Sequence, residues 1–306
     1  MSPAIVACAL FFAQSCFAVE PAVLDLHSIL GSAYPCSVPR AIEFLTEDEL
    51  VVLAGPSPEC FAAVDSFEIV AISLDGRVIA RRPWTSTDMG LTLPSGRLVL
   101  PEFGGVTIVD ENLRTIQTLR VAKRGGQAEI AATDTGILSI TLDGQSHSYF
   151  GTPLTEVHPP IENSHSGTGE IVSTGDGSWQ LTRTGDSLIE TLRGGLPRTL
   201  ADLSWVIPPC ENHDLCQTDT TALQFQVVLG KKNRILITSH GVKVPITSSF
   251  GLVSNFRAQA FDLDTGAEVY REEDFFRPRE RIAVLSPDGD RLVTSDGLSA
   301  IVHPLE

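Results

Sequence analysis

The segment Cys210-Glu211-Asn212-His213-Asp214-Leu215-Cys216 puts two thiols and an imidazole within seven residues. Such a set can hold a metal ion or close a small disulfide loop. Zinc sites usually separate their first two cysteines by two to four residues and add a second close pair. Here five residues intervene and no second close pair exists, so the disulfide is the better reading. Of the six cysteines, Cys8 and Cys16 fall in an apolar N-terminal segment, which leaves Cys36, Cys60, Cys210 and Cys216. An even count suggests disulfides, and four cysteines allow three pairings. Cys36 with Cys60 and Cys210 with Cys216 is the expected pairing, because each pair brackets one local excursion of the chain. In the chain-entropy description, loops of about 25 and 7 residues contribute roughly 3.5 and 2.4 kcal/mol.

Other chemistries fail on spacing. No Gly-x-Ser-x-Gly elbow occurs, so the usual serine-hydrolase arrangement has no support. Phosphate loops, dinucleotide fingerprints and His-Glu-x-x-His are also missing. Asp262-x-Asp264-x-Gly266 begins like a calcium loop but lacks the third oxygen ligand and the distal bidentate Glu. An Asx-type hairpin turn is expected there, and again at Asp288-Gly289-Asp290. The seven histidines are scattered singly. No catalytic residue, metal ligand or cofactor is therefore assigned. A site assembled from distant segments would leave no local signature. Two stretches interrupt the pattern described next and could carry recognition. Gly151–Gly169 holds His158 and His165, and Gly194–Thr221 holds Trp205 and His213. Trp205 and His213 are the candidate partner-binding residues.

The elements that would position any such site are short strands. No stretch sustains an i, i+3, i+4 apolar pattern over three turns; runs of Val, Ile and Leu alternate with Gly/Asp/Ser turns. One form pairs two apolar runs across a tight turn, as in Phe44–Leu53, Leu91–Leu100, Ile130–Ile140 and Ile282–Thr294, with looser copies at Ile171–Leu181 and Val227–Ile237. A second form is a longer hairpin, as in Ile69–Trp84, Val106–Leu119 and Gln259–Glu272, with weaker copies at Ser139–Phe150 and Leu181–Leu192. Asp-Gly supplies positive φ cheaply at such hairpins. Two hairpins recurring every 40–57 residues are the mark of a four-stranded propeller blade. The fold class is thus all-β, a single propeller over residues 19–306. Length divided by a typical blade gives close to seven blades, which is the number expected; direct counting of first-form turns gives six, the alternative.

Ser286-Pro287-Asp288-Gly289-Asp290-Arg291-Leu292-Val293, after Ile282-Ala283-Val284-Leu285, resembles the blade motif of WD40-like propellers of exported bacterial proteins. Phe261-Asp262-Leu263-Asp264-Thr265-Gly266 is similar to the hairpin that follows in those repeats. The Gly-His and Trp-Asp signatures of eukaryotic WD40 blades are missing. The resemblance implies a fold and an exported setting. Function does not follow from fold.

Residues 1–18 agree with that setting. Met1–Ala18 carries no charged side chain, and Ala4–Phe12 is an apolar run of signal-peptide length, followed by small residues and Ala18. Cleavage after Ala18 is expected, with delivery to the periplasm or the cell exterior. The run is too short to span a bilayer, which needs about 20 residues. The chain carries 22 basic against 38 acidic residues, a net charge of −16, which argues against nucleic-acid binding. A monomeric, non-enzymatic propeller binding a protein or another extracytoplasmic ligand is the favoured function. A propeller hydrolase or lactonase-like enzyme, with its site at the channel mouth, is the alternative. Ala22–Leu30 alternates apolar and polar residues, and it is expected to pair with Ser299–His303 and complete the last blade.

Overall fold

The computed structural model describes residues 21–30, 37–56, 67–93, 95–121, 128–132, 137–142, 145–157, 170–173, 179–185, 187–192, 195–205, 216–229, 231–245, 253–275 and 281–305. The chain opens with strand β1 (Ala22–Asp25) and one helical turn, α1 (Leu26–Leu30). Sheet 1 follows as β2 (Ser37–Phe44), β3 (Glu49–Pro56), β4 (Phe67–Ser73) and β5 (Val78–Trp84). Sheet 2 comprises β6 (Leu91–Leu93), β7 (Arg97–Glu102), β8 (Gly105–Val109) and β9 (Thr115–Arg120). Sheet 3 holds β10 (Glu129–Ala132), β11 (Leu138–Leu142), β12 (Gln145–Phe150) and β13 (Thr155–Val157). Sheet 4 holds β14 (Glu170–Ser173), β15 (Trp179–Thr184), β16 (Ser187–Leu192) and β17 (Arg198–Asp202). Sheet 5 is longer, with β18 (Cys216–Val228), β19 (Arg234–Pro245), β20 (Val253–Asp262) and β21 (Glu268–Phe275). Sheet 6 takes β22 (Ile282–Leu285), β23 (Arg291–Ser295) and β24 (Ser299–Pro304) from the end of the chain and β1 from its beginning.

Sheets 1 to 5 are antiparallel meanders in chain order. In sheets 1 and 2 the middle strands are largely buried on both faces. Leu50–Ala54 of β3 and every residue of β8 are buried. A strand buried on both faces must lie between two neighbouring sheets. The fourth strands read differently: β9 (TIQTLR) is half exposed, and β5 carries Arg81, Arg82 and Pro83. Charge and proline on an outer strand blunt the unpaired edge against association.

Sheet-to-sheet packing runs from sheet 4 through sheets 5, 6, 1 and 2 to sheet 3. One apolar core joins sheet 6 to sheet 1 through Leu24, Leu26, Val293 and Val302 against Ile42, Leu50 and Val70. Four more join sheets 1 and 2, 2 and 3, 4 and 5, and 5 and 6. The first strands of successive sheets adjoin one another around the axis: β22 meets β2, β2 meets β6, β6 meets β10, and β18 meets β22. The chain is a β-propeller, and each sheet is a blade. Among the described residues there are six blades, the alternative count, and not the seven expected. The seventh suggested by length has no sheet among them. Blade 5 accounts for much of the excess, because β18, β19 and β20 run 13, 12 and 10 residues. The stretch from Leu192 to Gln226, long enough for a hidden blade, holds β17, a 3-10 turn (Leu203–Trp205) and most of β18 among its described residues.

The N-terminal segment completes the last blade as expected, but only through Ala22–Asp25; Leu26–Leu30, read as part of the same alternating strand, is the helical turn α1. β1 runs antiparallel to β24 with Ala22 opposite Val302, Leu24 opposite Ala300 and Asp25 opposite Ser299. Polar groups stitch neighbouring blades where the cores end. Gln117 of β9 donates to Leu154 O at 2.7 Å and accepts from Leu154 N at 2.9 Å. Gln226 of β18 does the same for the backbone of Leu285, at 3.4 and 2.8 Å. Each amide satisfies one donor and one acceptor on the next blade, which a buried backbone requires.

Candidate binding face

A blade of four strands has an even count, so the chain leaves each blade on the face where it came in. All crossovers between blades and all hairpins between second and third strands therefore share one face, here named the crossover face. First-to-second and third-to-fourth turns share the opposite, or turn, face. The motif-bearing turns lie there: Asp75-Gly76, Asp110–Leu113, Asp262–Gly266 and Ser286–Gly289. Two of the weaker hairpin copies, at Ser139–Phe150 and Leu181–Leu192, instead join second to third strands and so belong to the crossover face.

The turn face is tightly interlocked. Ser286 Oγ donates to Asp288 Oδ1 at 2.5 Å and accepts from Arg291 N at 2.9 Å. Gly289 has φ +74°, and a Cβ there would stand 2.4 Å from Lys232 O on blade 5. Lys232 N donates to Asp288 O at 2.9 Å, and Arg291 Nη1 reaches Glu47 O and Asp48 Oδ1 on blade 1, both at 2.8 Å. These turns hold the ring together.

The described part of the crossover face is more open. A cavity of about 450 Å³ opens where β6 and β10 begin, lined by Asp88, Gly90, Leu91, Ala128, Glu129 and Ile130. Its near wall is built by the crossover from blade 1 to blade 2. Trp84 Nε1 donates to Asp88 O at 2.9 Å, and Asp88 Oδ1 accepts from Gly90 N at 2.7 Å. Gly90 sits at φ +83° with its α-carbon against Val99 O; a Cβ would approach that oxygen to 1.9 Å. Behind the wall, Glu43 of β2 crosses to blade 2 and accepts from Thr92 N at 3.1 Å and Thr92 Oγ1 at 2.9 Å. Burial pushes the Glu43 carboxyl above its ordinary range; the Thr92 bonds oppose this and the nearby Asp88 charge adds to it. The groove is thus acidic at Asp88 and Glu129 and apolar at Leu91, Ala128 and Ile130. Nearby on this face, Phe103 stands 75% exposed at the tip of the β7–β8 hairpin.

Two of the residues singled out by sequence fall on the same side. Cys216 is the first residue of β18, and Trp205 closes the 3-10 turn in the crossover from blade 4 to blade 5. Cys36, Cys60, Cys210 and His213 lie outside the described residues, and so do His158 and His165. Asp88, Glu129 and Glu43 carried no motif; each is a lone carboxylate in sequence, made neighbourly by successive inner strands. Among the described residues, no three His, Cys, Asp or Glu side chains stand close enough to hold a metal ion. Among them, too, no helix is long and apolar enough to cross a membrane.

No family model and no curated protein matches the chain. Solved structures with a similar course of chain do exist. A streptogramin B lyase is 11% identical, covers 94% of this chain and 97% of its own, and has a TM-score of 0.41. Hydrazine synthase of Kuenenia stuttgartiensis is 13% identical over 84% of this chain and 73% of its own, with a TM-score of 0.36. The WD40 domain of Toxoplasma gondii coronin is 12% identical over 86% of this chain and 68% of its own, at 0.31. The propeller assignment rests on the six sheets and their seams. These neighbours include enzymes and a WD40 domain, and they select no activity.

Proposed function

We propose that this chain is an exported, non-enzymatic propeller that binds a protein partner on its crossover face. The observation that carries the reading is the groove at Asp88–Leu91 and Ala128–Ile130, where two carboxylates border apolar walls. Apolar surface with a few placed polar groups suits recognition, and loops on a rigid scaffold are where binding residues concentrate. A chain with net charge −16 favours a partner whose contacting segment is basic.

The test uses the secreted protein and three variants. Cross-linking in the producing cells, followed by mass spectrometry, identifies what the wild type holds. Asp88→Lys/Glu129→Lys is expected to weaken that complex roughly tenfold or more, equivalent to about 1.4 kcal/mol. Phe103→Ser should weaken it as well, and Asp110→Lys on the turn face should leave it unchanged. Equal capture by all variants would refute the crossover face as the binding surface. Turnover of ester or lactone substrates, or stoichiometric calcium or zinc in the purified protein, would replace this reading with the hydrolase alternative. Export has its own check: the intact mass should correspond to a chain beginning at Val19, and retention of Met1–Ala18 would overturn it.

A further inference from the structure

Five junctions between blades hold an apolar core; between blades 3 and 4 there is none among the described residues. Strand register shows why. Leu138, Ile140 and Leu142 of β11, with Tyr149 of β12, pack toward blade 2. Successive side chains of a strand point to opposite faces of the sheet. Ser139, opposite Ser148, and Thr141, opposite Ser146, therefore line the face of blade 3 that is turned toward blade 4. On blade 4, Leu181 and Leu188 pack toward blade 5. That turns Gln180, opposite Thr191, and Thr182, opposite Ile189, toward blade 3. Both sides of this junction are lined mainly by hydroxyls.

Burial agrees with that lining. Gln180, Thr182, Ile189 and Thr191 are only partly buried, although they sit on middle strands. Leu53, Ile69 and Leu98, on the middle strands at the junction of blades 1 and 2, are 0% exposed. Phe150, on the same face of β12 as Ser148, is 50% exposed where a tight junction would cover it. Deeper in, Ser139 is 5% exposed, and its Oγ has no hydrogen-bond partner. A buried hydroxyl without a partner costs free energy that is recovered when it meets water. Parting an apolar junction bares hydrocarbon, whereas parting this one hydrates hydroxyls and relieves Ser139.

We propose that the propeller opens and recloses at the junction of blades 3 and 4. The molecule is then an arc running from blade 4 through blades 5, 6, 1 and 2 to blade 3, its two ends meeting across a hydrated seam. The pairing of β1 with β24 lies in the middle of that arc, so opening requires no strand to leave its sheet. The groove between β6 and β10 lies between blades 2 and 3, which an apolar core joins, and it moves as one body with blade 3.

Native-state thiol labelling of the full chain tests the opening, with peptide mass spectrometry locating the label. Ser139→Cys and Ser148→Cys probe the junction. Ala71→Cys and Ala258→Cys, at positions 0% exposed in the cores of blades 1 and 2 and of blades 5 and 6, are the references. Without denaturant the two junction variants should label about a hundredfold or more faster than the references. Low urea should barely change their rates, as local opening requires, while the references should accelerate steeply because they react through unfolding. Adding Thr182→Val/Thr191→Val, which makes the blade 4 face more apolar, should slow labelling of Ser139→Cys about threefold or more. Rates and urea dependence equal to the references would overturn the proposal. Fast labelling that the blade 4 substitutions leave unchanged would overturn it too, since Ser139 would then be bared by something other than parting from blade 4. Ser148→Cys decides the matter if Ser139→Cys does not fold.

Discussion

Deleting Pro21–Gly31 from the mature chain should lower the unfolding temperature by more than 15 °C, on the order expected from several kcal/mol, and should make the protein associate. The deletion removes β1 and α1, and with them Leu24, Leu26 and Leu30, which are 4%, 0% and 5% exposed. Burying one such leucine stabilises by about 1.5–3 kcal/mol, so the three together supply roughly 5–9 kcal/mol. Domains have only about 5–15 kcal/mol in total. Arg81 of β5 would also lose its bonds to Ile29 O and Leu30 O, at 2.7 and 3.2 Å. The backbone of β24 from Ser299 to Val302 would then face solvent as an unpaired edge, the kind of surface that recruits other chains. Calorimetry and light scattering over a concentration series provide the measurement. A monomer that melts like the full chain would contradict closure by β1.

The second large effect is at Arg234, which is 1% exposed and places Nη1 2.9 Å from Asp262 Oδ2. Burial alone would raise the Asp262 pKa. The Thr265 N–H and hydroxyl, together with the Arg234 charge, outweigh it, and the carboxyl lies below its usual range. Arg234→Ala leaves that largely buried carboxylate without its guanidinium partner. Breaking one side of a buried pair typically costs about 3–5 kcal/mol. The expected result is a melting temperature lower by roughly 10 °C, with most of the loss already present at neutral pH. Arg234→Met should lose less, because it keeps the volume against Gly289. Denaturant titration of both variants measures this, and a loss under about 1 kcal/mol for Arg234→Ala would show that the pair is dispensable.

Sequence disclosed most about the turn face. Asp262, Gly266, Ser286 and Gly289 are dictated by local geometry, since positive φ and Asx bonds demand particular residues at fixed offsets. Closure was legible in part: Leu24 and Leu26 flank exposed Asp25 as a strand with one buried face requires, but the alternation read over Ala22–Leu30 did not foretell the helical turn at Leu26–Leu30. Blade number was less so, since it depends on strand lengths that vary from 3 residues in β6 to 13 in β18. The groove and the contact of His303 with Tyr270 left no trace in sequence. Glu43 and Thr92 are 49 positions apart, and the His303 ring meets that of Tyr270 from another blade. Such neighbours are made by the circle of blades, and periodicity carries no information about them.

Pairing of Ala22–Asp25 with Ser299–Val302 also puts a clock on the birth of the molecule. The two partners are separated by nearly the whole chain, about 270 residues. At a typical 5–20 residues per second, a ribosome needs roughly 14–55 s to make the second after the first. Throughout that interval β1 is an orphan, with Leu24 and the turn of Leu26 and Leu30 seeking cover. Any factor that escorts the nascent chain has its longest task at these few residues. The ring stays open until the last strand is made.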